Sequence, residues 1–377
     1  MSNESTIDPL LISVLGGGQL GMMLAEAGAP LGMHFRFLDP SPQAPAAPFG
    51  ELIVGTLGDT NALLRTARGS AVVTYEWEGV PATGAASLES AGHLVRPSIR
   101  ALEVSQDRLS EKNLFRSLGI GVAEFAAVDD RSGLDNAVDA IGLPAVLKTR
   151  CGGYDGKGQV VLQDRADVGP AWEALGKAGP LILEAWVPFD RELSIIAVRS
   201  TDGDTLCWPL VTNEHRDGIL RTSTVTAEGD NTTLRASAEK YVGHLLDELD
   251  YVGVLALELF DVGGQLLANE MAPRVHNSGH WTIEGASTSQ FENHLRAIAG
   301  WPLGPTALKM PSVMVNCIGS LPEAEAVGAI TGAHLHVYGK SLRPGRKVGH
   351  VTVVAPDTAQ LHERLTALRE VLLPDIG

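Results

Sequence analysis

Cysteine is scarce in this chain of 377 residues. Cys151, Cys207 and Cys317 lie far apart and form no C-x-x-C pair, an odd and sparse set that argues against a disulfide framework or a zinc knuckle. Basic residues are outnumbered, 29 Lys and Arg against 45 Asp and Glu, giving a formal net charge of −16. A basic nucleic-acid footprint is therefore lacking, and anionic membranes should repel the chain. Long apolar runs are lacking too, since none approaches the length of a membrane span. Met1 to Leu15 carries acidic residues but no basic region ahead of its short apolar run, unlike a secretory signal. The expectation is a cytoplasmic protein with neither nucleic acid nor membrane as partner.

What is present is an ordinary globular composition, 44% hydrophobic and 20% charged, at a length that fits two or three domains. Leu10 to Leu15 is a short apolar run closed by Gly16-Gly17-Gly18. Gln19 to Leu31 has apolar residues at helical spacing, and His34 to Leu38 reads as a second strand ended by Asp39-Pro40. This strand, glycine turn, helix and strand open a parallel α/β sheet, with Ala71 to Tyr75 as a later strand. Asp107 to Leu118 is an amphipathic helix stopped by Gly119. Strands follow at Ala145 to Thr149, Leu181 to Val187 and Glu192 to Val198, then a long helix at Thr232 to Leu249. Val252 to Phe260 and Gln265 to Met271 pair around Gly263-Gly264. A small tail domain has strands near Ser312 to Ile318, His334 to Val337 and His350 to Val354. Domain boundaries fall near residues 105 and 300.

Gly16, Gly18 and Gly21 match G-x-G-x-x-G after a strand and at a helix start, and Asp39 ends the next strand. Alone, this is a dinucleotide fingerprint. The physics says only that backbone N–H groups and the helix dipole favour an anion there. A dinucleotide, a phosphorylated sugar or a tight packing turn all fit.

A second glycine loop follows Lys148 in the run KTRCGGYDGKGQ, Lys148 to Gln159. Four glycines in seven positions let the backbone approach phosphates, and Lys148 and Lys157 add positive charge. The spacing is not that of a P-loop. Glu258 and Glu270 lie on otherwise apolar strands, where acids are costly unless paired or bound to metal. A two-residue turn at Gly263-Gly264 sets Glu258 opposite Asn269 and turns Glu270 away. A three-residue loop, Gly263 to Gln265, sets Glu258 opposite Glu270, and this is the count expected here. Two carboxylates on one face, with substrate phosphates, hold Mg²⁺.

These stretches resemble the 5-(carboxyamino)imidazole ribonucleotide synthases, ATP-grasp ligases of purine biosynthesis. The match runs in order through GGGQLG (Gly16 to Gly21), Asp107-Arg108, KTRCGGYDGKGQ, RELS (Arg191 to Ser194), EHRDGILRTS (Glu214 to Ser223), VGVLALELF (Val252 to Phe260), NEMAPRVHNSGHWT (Asn269 to Thr282) and RPGRKVGH (Arg343 to His350). Cys151 stands where Thr is expected, and Gly79 replaces a polar residue. The resemblance implies an α/β (α+β) ATP-grasp fold. An N-terminal Rossmann-like domain would cover residues 1–105, an ATP-grasp domain 106–299 with a mobile lid lobe at about 110–187, and a small C-terminal domain 300–377.

It further implies that ATP lies between two lobes under Gly153, Tyr154, Asp155, Gly156, Lys157, Gly158 and Gln159. Arg108, Lys148 and His215 would approach its phosphates or neighbouring groups. Glu184, Ala185, Trp186 and Val187 would hold adenine, and Glu192 the ribose. Glu258 and Glu270 would bind Mg²⁺ beside Asn269. The sugar-phosphate substrate would meet Gly18, Gln19, Glu76, Tyr154, Arg274, His276, Arg346 and Lys347, of which Tyr154, Arg274, His276 and Lys347 would be catalytic. The implied partners are ATP, bicarbonate, 5-aminoimidazole ribonucleotide and a second copy in a homodimer. The implied chemistry is attack of bicarbonate on the γ-phosphate to give carboxyphosphate, then capture by the substrate amine.

Other readings remain at this point. His276 and His280 sit four apart like a zinc pair, but Asn277, Ser278 and Gly279 between them lack the Glu of H-E-x-x-H. Another acyl-phosphate ligase or formyltransferase would share the ATP site. A nicotinamide-dependent oxidoreductase would use the first glycine motif and leave the second loop unexplained. A non-catalytic nucleotide-binding regulator would have no need of the paired carboxylates.

Overall fold

The structure is a computed structural model that describes residues 10–153, 156–227 and 231–372. At the N-terminus, short apolar strands pack on both faces, as a parallel sheet requires. Its order is Glu51–Val54, His34–Asp39, Leu11–Leu15, Val72–Tyr75, all parallel. The expected strand–turn–helix–strand unit is present. Its helix runs from Gln19 to Gly28 and finishes as a 3₁₀ turn, Ala29–Leu31, where Pro30 interrupts the α ladder.

The glycine turn holds carboxylates of the chain itself. The Gly17 amide donates to Asp39 (2.9 Å), and the Gly18 and Gly21 amides donate to the two oxygens of Glu76 (2.7 and 3.0 Å). A Cβ on Gly18 would lie 2.5 Å from Glu76 Oε1. The glycines thus let a buried acid sit at the helix N-terminus, where the dipole favours it.

A second sheet contains, among the described residues, nine strands. Its order is Gln265–Ala272, Gly253–Val262, Arg191–Arg199, Val211–Arg216, Ile219–Val225, Ser312–Ile318, Lys347–Val354 and Ala333–Val337, with Thr205–Cys207 paired to Arg191–Arg199. The C-terminal segment therefore extends the central sheet through pairing of Ile219–Val225 with Ser312–Ile318. Alternation divides the faces. Leu193, Ile195, Ala197, Leu255, Leu257 and Leu259 join one core with the helix Thr232–Glu248. Ile196, Val198, Val254 and Ala256 join another that reaches the N-terminal domain. Glu258 continues the second set, so its carboxylate emerges on that face.

A third sheet, Phe125–Val128, Leu181–Ala185, Ala145–Thr149, Gln159–Leu162, carries the helices Arg131–Ile141 and Val168–Leu175 and has its own core. The helix Arg108–Ser117 before it buries Phe115 in the central core instead. Several elements were not expected from the sequence: the strand Glu51–Val54, the helix Thr60–Ala67 and the hairpin Val211–Arg216/Ile219–Val225. The last long strand starts at Lys347 rather than His350. No described helix is long and apolar enough to cross a membrane.

Substituting Gly18→Ala should push Glu76 off the two amides it caps. The expected cost is about 1–3 kcal/mol, from leaving buried polar groups unpaired. Urea unfolding measures it, and unchanged stability would contradict the carboxylate cap.

Candidate active site

Turn and bulge together decide where the two acids point. Gly263 (φ 58°) and Gly264 (φ 84°) form a two-residue turn, with Val262 opposite Gln265 and Leu259 opposite Ala268. The expected three-residue loop is thus incorrect, and an unbroken ladder would turn Glu270 away from Glu258. The register then slips: Leu257 faces Met271 and Ala256 faces Ala272. Leu266, Ala268 and Met271 all enter the same core, so Asn269 and Glu270 together oppose Glu258. One extra residue in the strand re-aims the carboxylate, and Glu258 and Glu270 share the cleft face.

The bulge is held by the helix Arg108–Ser117. Lys112 donates to the carbonyls of Asn269 (2.7 Å) and Ala268 (3.3 Å), and the Met271 amide donates to Glu111 (2.7 Å). Burial and the neighbouring Glu270 push Glu111 up to about 8. Arg108 reaches Glu270 at 2.8 Å. Arg108, Glu111 and Lys112 share one helix face, as spacing i, i+3, i+4 requires. Asp107 caps this helix at Leu109 and binds Arg150, the residue that begins the glycine loop.

From the lid side, Lys148 and Glu184 come from adjacent strands, 3.1 Å apart, and Lys112 lies 3.3 Å from the same Glu184 oxygen. Burial alone would raise the Glu184 carboxyl, but Lys112 and Lys148 outweigh it and hold it at about 2. Burial, with Lys112 and Arg108 nearby, lowers Lys148. Along Glu184 to Val187, the Ala185 and Trp186 amides donate to the carbonyls of Glu124 (2.8 Å) and Pro144 (3.1 Å).

Across the cleft, His215 Nδ1 lies 2.9 Å from Glu192. Burial would lower this histidine, but the bond to Glu192 and the charge of Glu258 raise it. Glu192, Asn213, His215, Glu258, Phe260 and Asn269 line one pocket. Burial and Glu270 push Glu258 up, whereas Arg108 outweighs burial at Glu270 and holds it down. His276 Nε2 stands 3.4 Å from Glu258. Burial, with Arg274 and Lys347 nearby, lowers His276 to about 3.

The glycine loop returns at Gly156 and Gly158, both at positive φ. The Thr149 amide bonds Gly158 O at 2.8 Å, and a Cβ on Gly156 would lie 3.0 Å from Asp217 O. The loop thus touches the Asp217-Gly218 turn of the opposite lobe. Gly153, Lys157 and Gln159 flank it, while Tyr154 and Asp155 lie outside the described residues.

The remaining residues divide differently from expectation. Gly18 and Glu76 face each other, so the Gly18 amide and that of Gly21 are not open to a phosphate. Gln19 instead accepts a bond from Lys340, a residue the sequence reading missed. Arg274 is ion-paired to Glu78, also missed. Lys347 lies close enough to His215, Glu258 and His276 to influence their ionisation. Arg346 donates to Ser341 Oγ of its own loop at 2.6 Å.

A cleft lined by Arg108 and Lys148 between a four-stranded sheet and a larger one, with two carboxylates on one strand pair, defines an ATP-grasp ligase. A family model described as an ATP-grasp domain matches residues 113–291. A ribonucleotide synthetase preATP-grasp domain matches 10–106, and a phosphoribosylaminoimidazole carboxylase C-terminal domain matches 312–364. An N5-carboxyaminoimidazole ribonucleotide synthase of Pseudomonas aeruginosa is 53% identical over 361 residues, covering 96% of this chain and 99% of that protein. The crystal structure of the N5-carboxyaminoimidazole ribonucleotide synthetase from Thermus thermophilus is also 53% identical, with a TM-score of 0.92 and coverage of 96% and 99%. An Aspergillus clavatus N5-carboxyaminoimidazole synthase, solved with ADP and 5-aminoimidazole ribonucleotide, has a TM-score of 0.90 at 31% identity, covering 97% and 99%. The chain belongs to the N5-carboxyaminoimidazole ribonucleotide synthase family. Its activity is the ATP-dependent carboxylation of 5-aminoimidazole ribonucleotide in purine biosynthesis. The oxidoreductase reading of the first glycine motif is thereby set aside.

Replacing Glu184 with Gln leaves Lys112 and Lys148 buried without their counter-charge. A loss of about 3–5 kcal/mol is expected by denaturant unfolding at neutral pH. Because Glu184 titrates at about 2 in the folded protein and at ~4.3 unfolded, its contribution is complete above that range. It disappears as pH falls toward 2, so wild type and variant should converge there. A constant gap down to pH 2 would contradict the ion-pair account.

Proposed function

We propose that this chain couples Mg²⁺·ATP to bicarbonate and passes the activated carboxyl to the exocyclic amine of 5-aminoimidazole ribonucleotide. The observation that carries this reading is the bulge at Asn269–Glu270, which turns Glu270 toward Glu258 in a cleft also lined by Arg108, Lys148 and His276. Adenine would lie along Glu184 to Val187, its ribose at Glu192 and its phosphates beneath Gly153 to Gln159 with Arg108, Lys148 and His215.

A divalent ion fits Glu258 and Glu270. The two carboxylates share a cleft face on which desolvation and the charge of Glu270 already push Glu258 up, a repulsion that a cation would relieve. Two acids supply only part of a Mg²⁺ shell, and nucleotide oxygens and water commonly supply the rest. Bound there, the ion would offset charge on the transferring phosphoryl group.

A bicarbonate oxygen attacks the γ-phosphorus, and ADP leaves with the electrons of the broken P–O bond. Arg108 and Lys148 stabilise the charge that develops. The substrate amine then attacks the carbonyl carbon of carboxyphosphate, phosphate departs, and the amine loses a proton. Arg274, His276 and Lys347 are assigned to this second half. Carboxyphosphate hydrolyses readily, so contact between the glycine loop and the Asp217-Gly218 turn is read as closure against water. Lys340 with Gln19 joins Arg346 in the 5′-phosphate assignment in place of the glycine-turn amides, which are engaged by Glu76. Cytoplasmic location and a homodimer complete the proposal and rest on the family likeness alone.

The test is ADP release with ATP, Mg²⁺, bicarbonate and 5-aminoimidazole ribonucleotide, omitting each in turn. Turnover should need Mg²⁺ and bicarbonate and rise with the ribonucleotide. Equal turnover with formate in decarbonated buffer would overturn the proposal in favour of formyl transfer.

A further inference from the structure

A chain of buried polar groups runs beneath the cleft and ends on His276. The backbone amide of Ser278 points at His276 Nδ1 (3.3 Å), and Ser278 Oγ lies 2.9 Å from the same nitrogen. Ser194 donates to Ser278 Oγ (2.8 Å), Asn213 Nδ2 donates to Ser194 Oγ (3.0 Å), and Ser223 donates to Asn213 Oδ1 (2.8 Å). These four residues are buried. The backbone of His276 is gripped separately by Gln290, whose side-chain oxygen accepts from its amide (2.9 Å) and whose nitrogen donates to its carbonyl (2.7 Å).

The polarity of this chain is set at its end by two donors of unequal strength. The backbone amide can only donate and at 3.3 Å favours His276 Nδ1 as an acceptor, while the Ser278 hydroxyl, closer at 2.9 Å, is the stronger partner and completes the preference. An imidazole that accepts at Nδ1 is neutral and carries its proton on Nε2. Ser194 spends its proton on Ser278, which directs the Ser278 proton to Nδ1 as well. The Nε2–H then faces Glu258 Oε1, 3.4 Å away.

We propose that Ser278, backed by Ser194 and Asn213, is a positioning residue that holds His276 as the Nε2–H tautomer, so that His276 enters carboxyl transfer as a neutral hydrogen-bond donor beside Glu258 and not as a base through Nε2. The tautomer follows from the polar chain alone. What the donor serves rests on the carboxylation reading. An N–H at that place can hold an oxygen of bicarbonate or carboxyphosphate while the amine attacks, and fixed donors of this kind act without reorganising.

The experiment is ¹⁵N NMR of the wild-type protein labelled at histidine, at neutral pH, with His276→Gln used to assign the signal. A pyridine-like shift at Nδ1 and a pyrrole-like shift at Nε2 are expected, and the reverse pattern would overturn the proposal. Ser278→Ala removes the hydroxyl, and Ser194→Ala removes the group that orients it. Ser278→Ala should mix the tautomers and lower kcat by about tenfold or more, the scale seen when an orienting partner is lost. The Michaelis constant for ATP should hold. Ser194→Ala should act in the same direction but less. An unmixed spectrum in both variants, or full kcat in Ser278→Ala, would contradict it. Absence of bicarbonate-dependent turnover in wild type would defeat the functional proposal while leaving the tautomer result intact.

Discussion

The carbonyls of Ala268 and Asn269 stand where the strand Gln265–Ala272 slips its register, and a buried ammonium takes both. Lys112 spends two donors on them and lies against Glu184 from the other lobe, which also binds Lys148. A lysine in this setting is unfavourable without a counter-charge, and a bulge is unfavourable without partners for its freed backbone groups. Each requirement meets the other. That ammonium supports the bulge that aims Glu270 and is the first of the cations, with Lys148, that depress the Glu184 carboxyl.

Around it, charge is sorted within a chain that is acidic as a whole. Arg108 and Lys112, on a helix packed against the central sheet, meet Lys148 of the four-stranded sheet, while Glu192, Glu258 and Glu270 share the cleft with them and Lys347 and His276 lie close by. Net charge therefore says nothing about the affinity of the cleft for a polyanion, because a sheltered site responds to the groups lining it. Farther along, Glu76 blocks the first helix N-terminus, so an anion-binding motif in the sequence becomes an internal cap. That substitution of a protein carboxylate for a ligand separates this glycine turn from a dinucleotide site.

Much of the fold was legible because its signals are local. Leu11–Leu15, Gln19–Gly28 and His34–Asp39 announce themselves through an apolar run, a glycine turn and helical spacing, and the order of matched motifs carried the family. The site was legible only in part. Glu258 and Glu270 stood out as acids on apolar strands, yet the face of Glu270 depends on a bulge that no turn count could contain. Its determinant, Lys112, lies more than 150 residues away in sequence, although charges at Arg108, Glu111 and Lys112 on one helix face were a readable sign. Lys340 and Glu78 were missed because neither lies in a distinctive motif. The occupation of the Gly18 amide by Glu76 is a tertiary fact with no local trace.

The central claim is that the bulge presents Glu258 and Glu270 to one cation at the nucleotide phosphates. Anomalous diffraction from crystals grown with Mn²⁺ and ADP tests it most directly. The account predicts a manganese peak within bonding distance of both carboxylates. A nucleotide-bound peak that contacts neither carboxylate, or only one with the other turned out of the cleft, would contradict it.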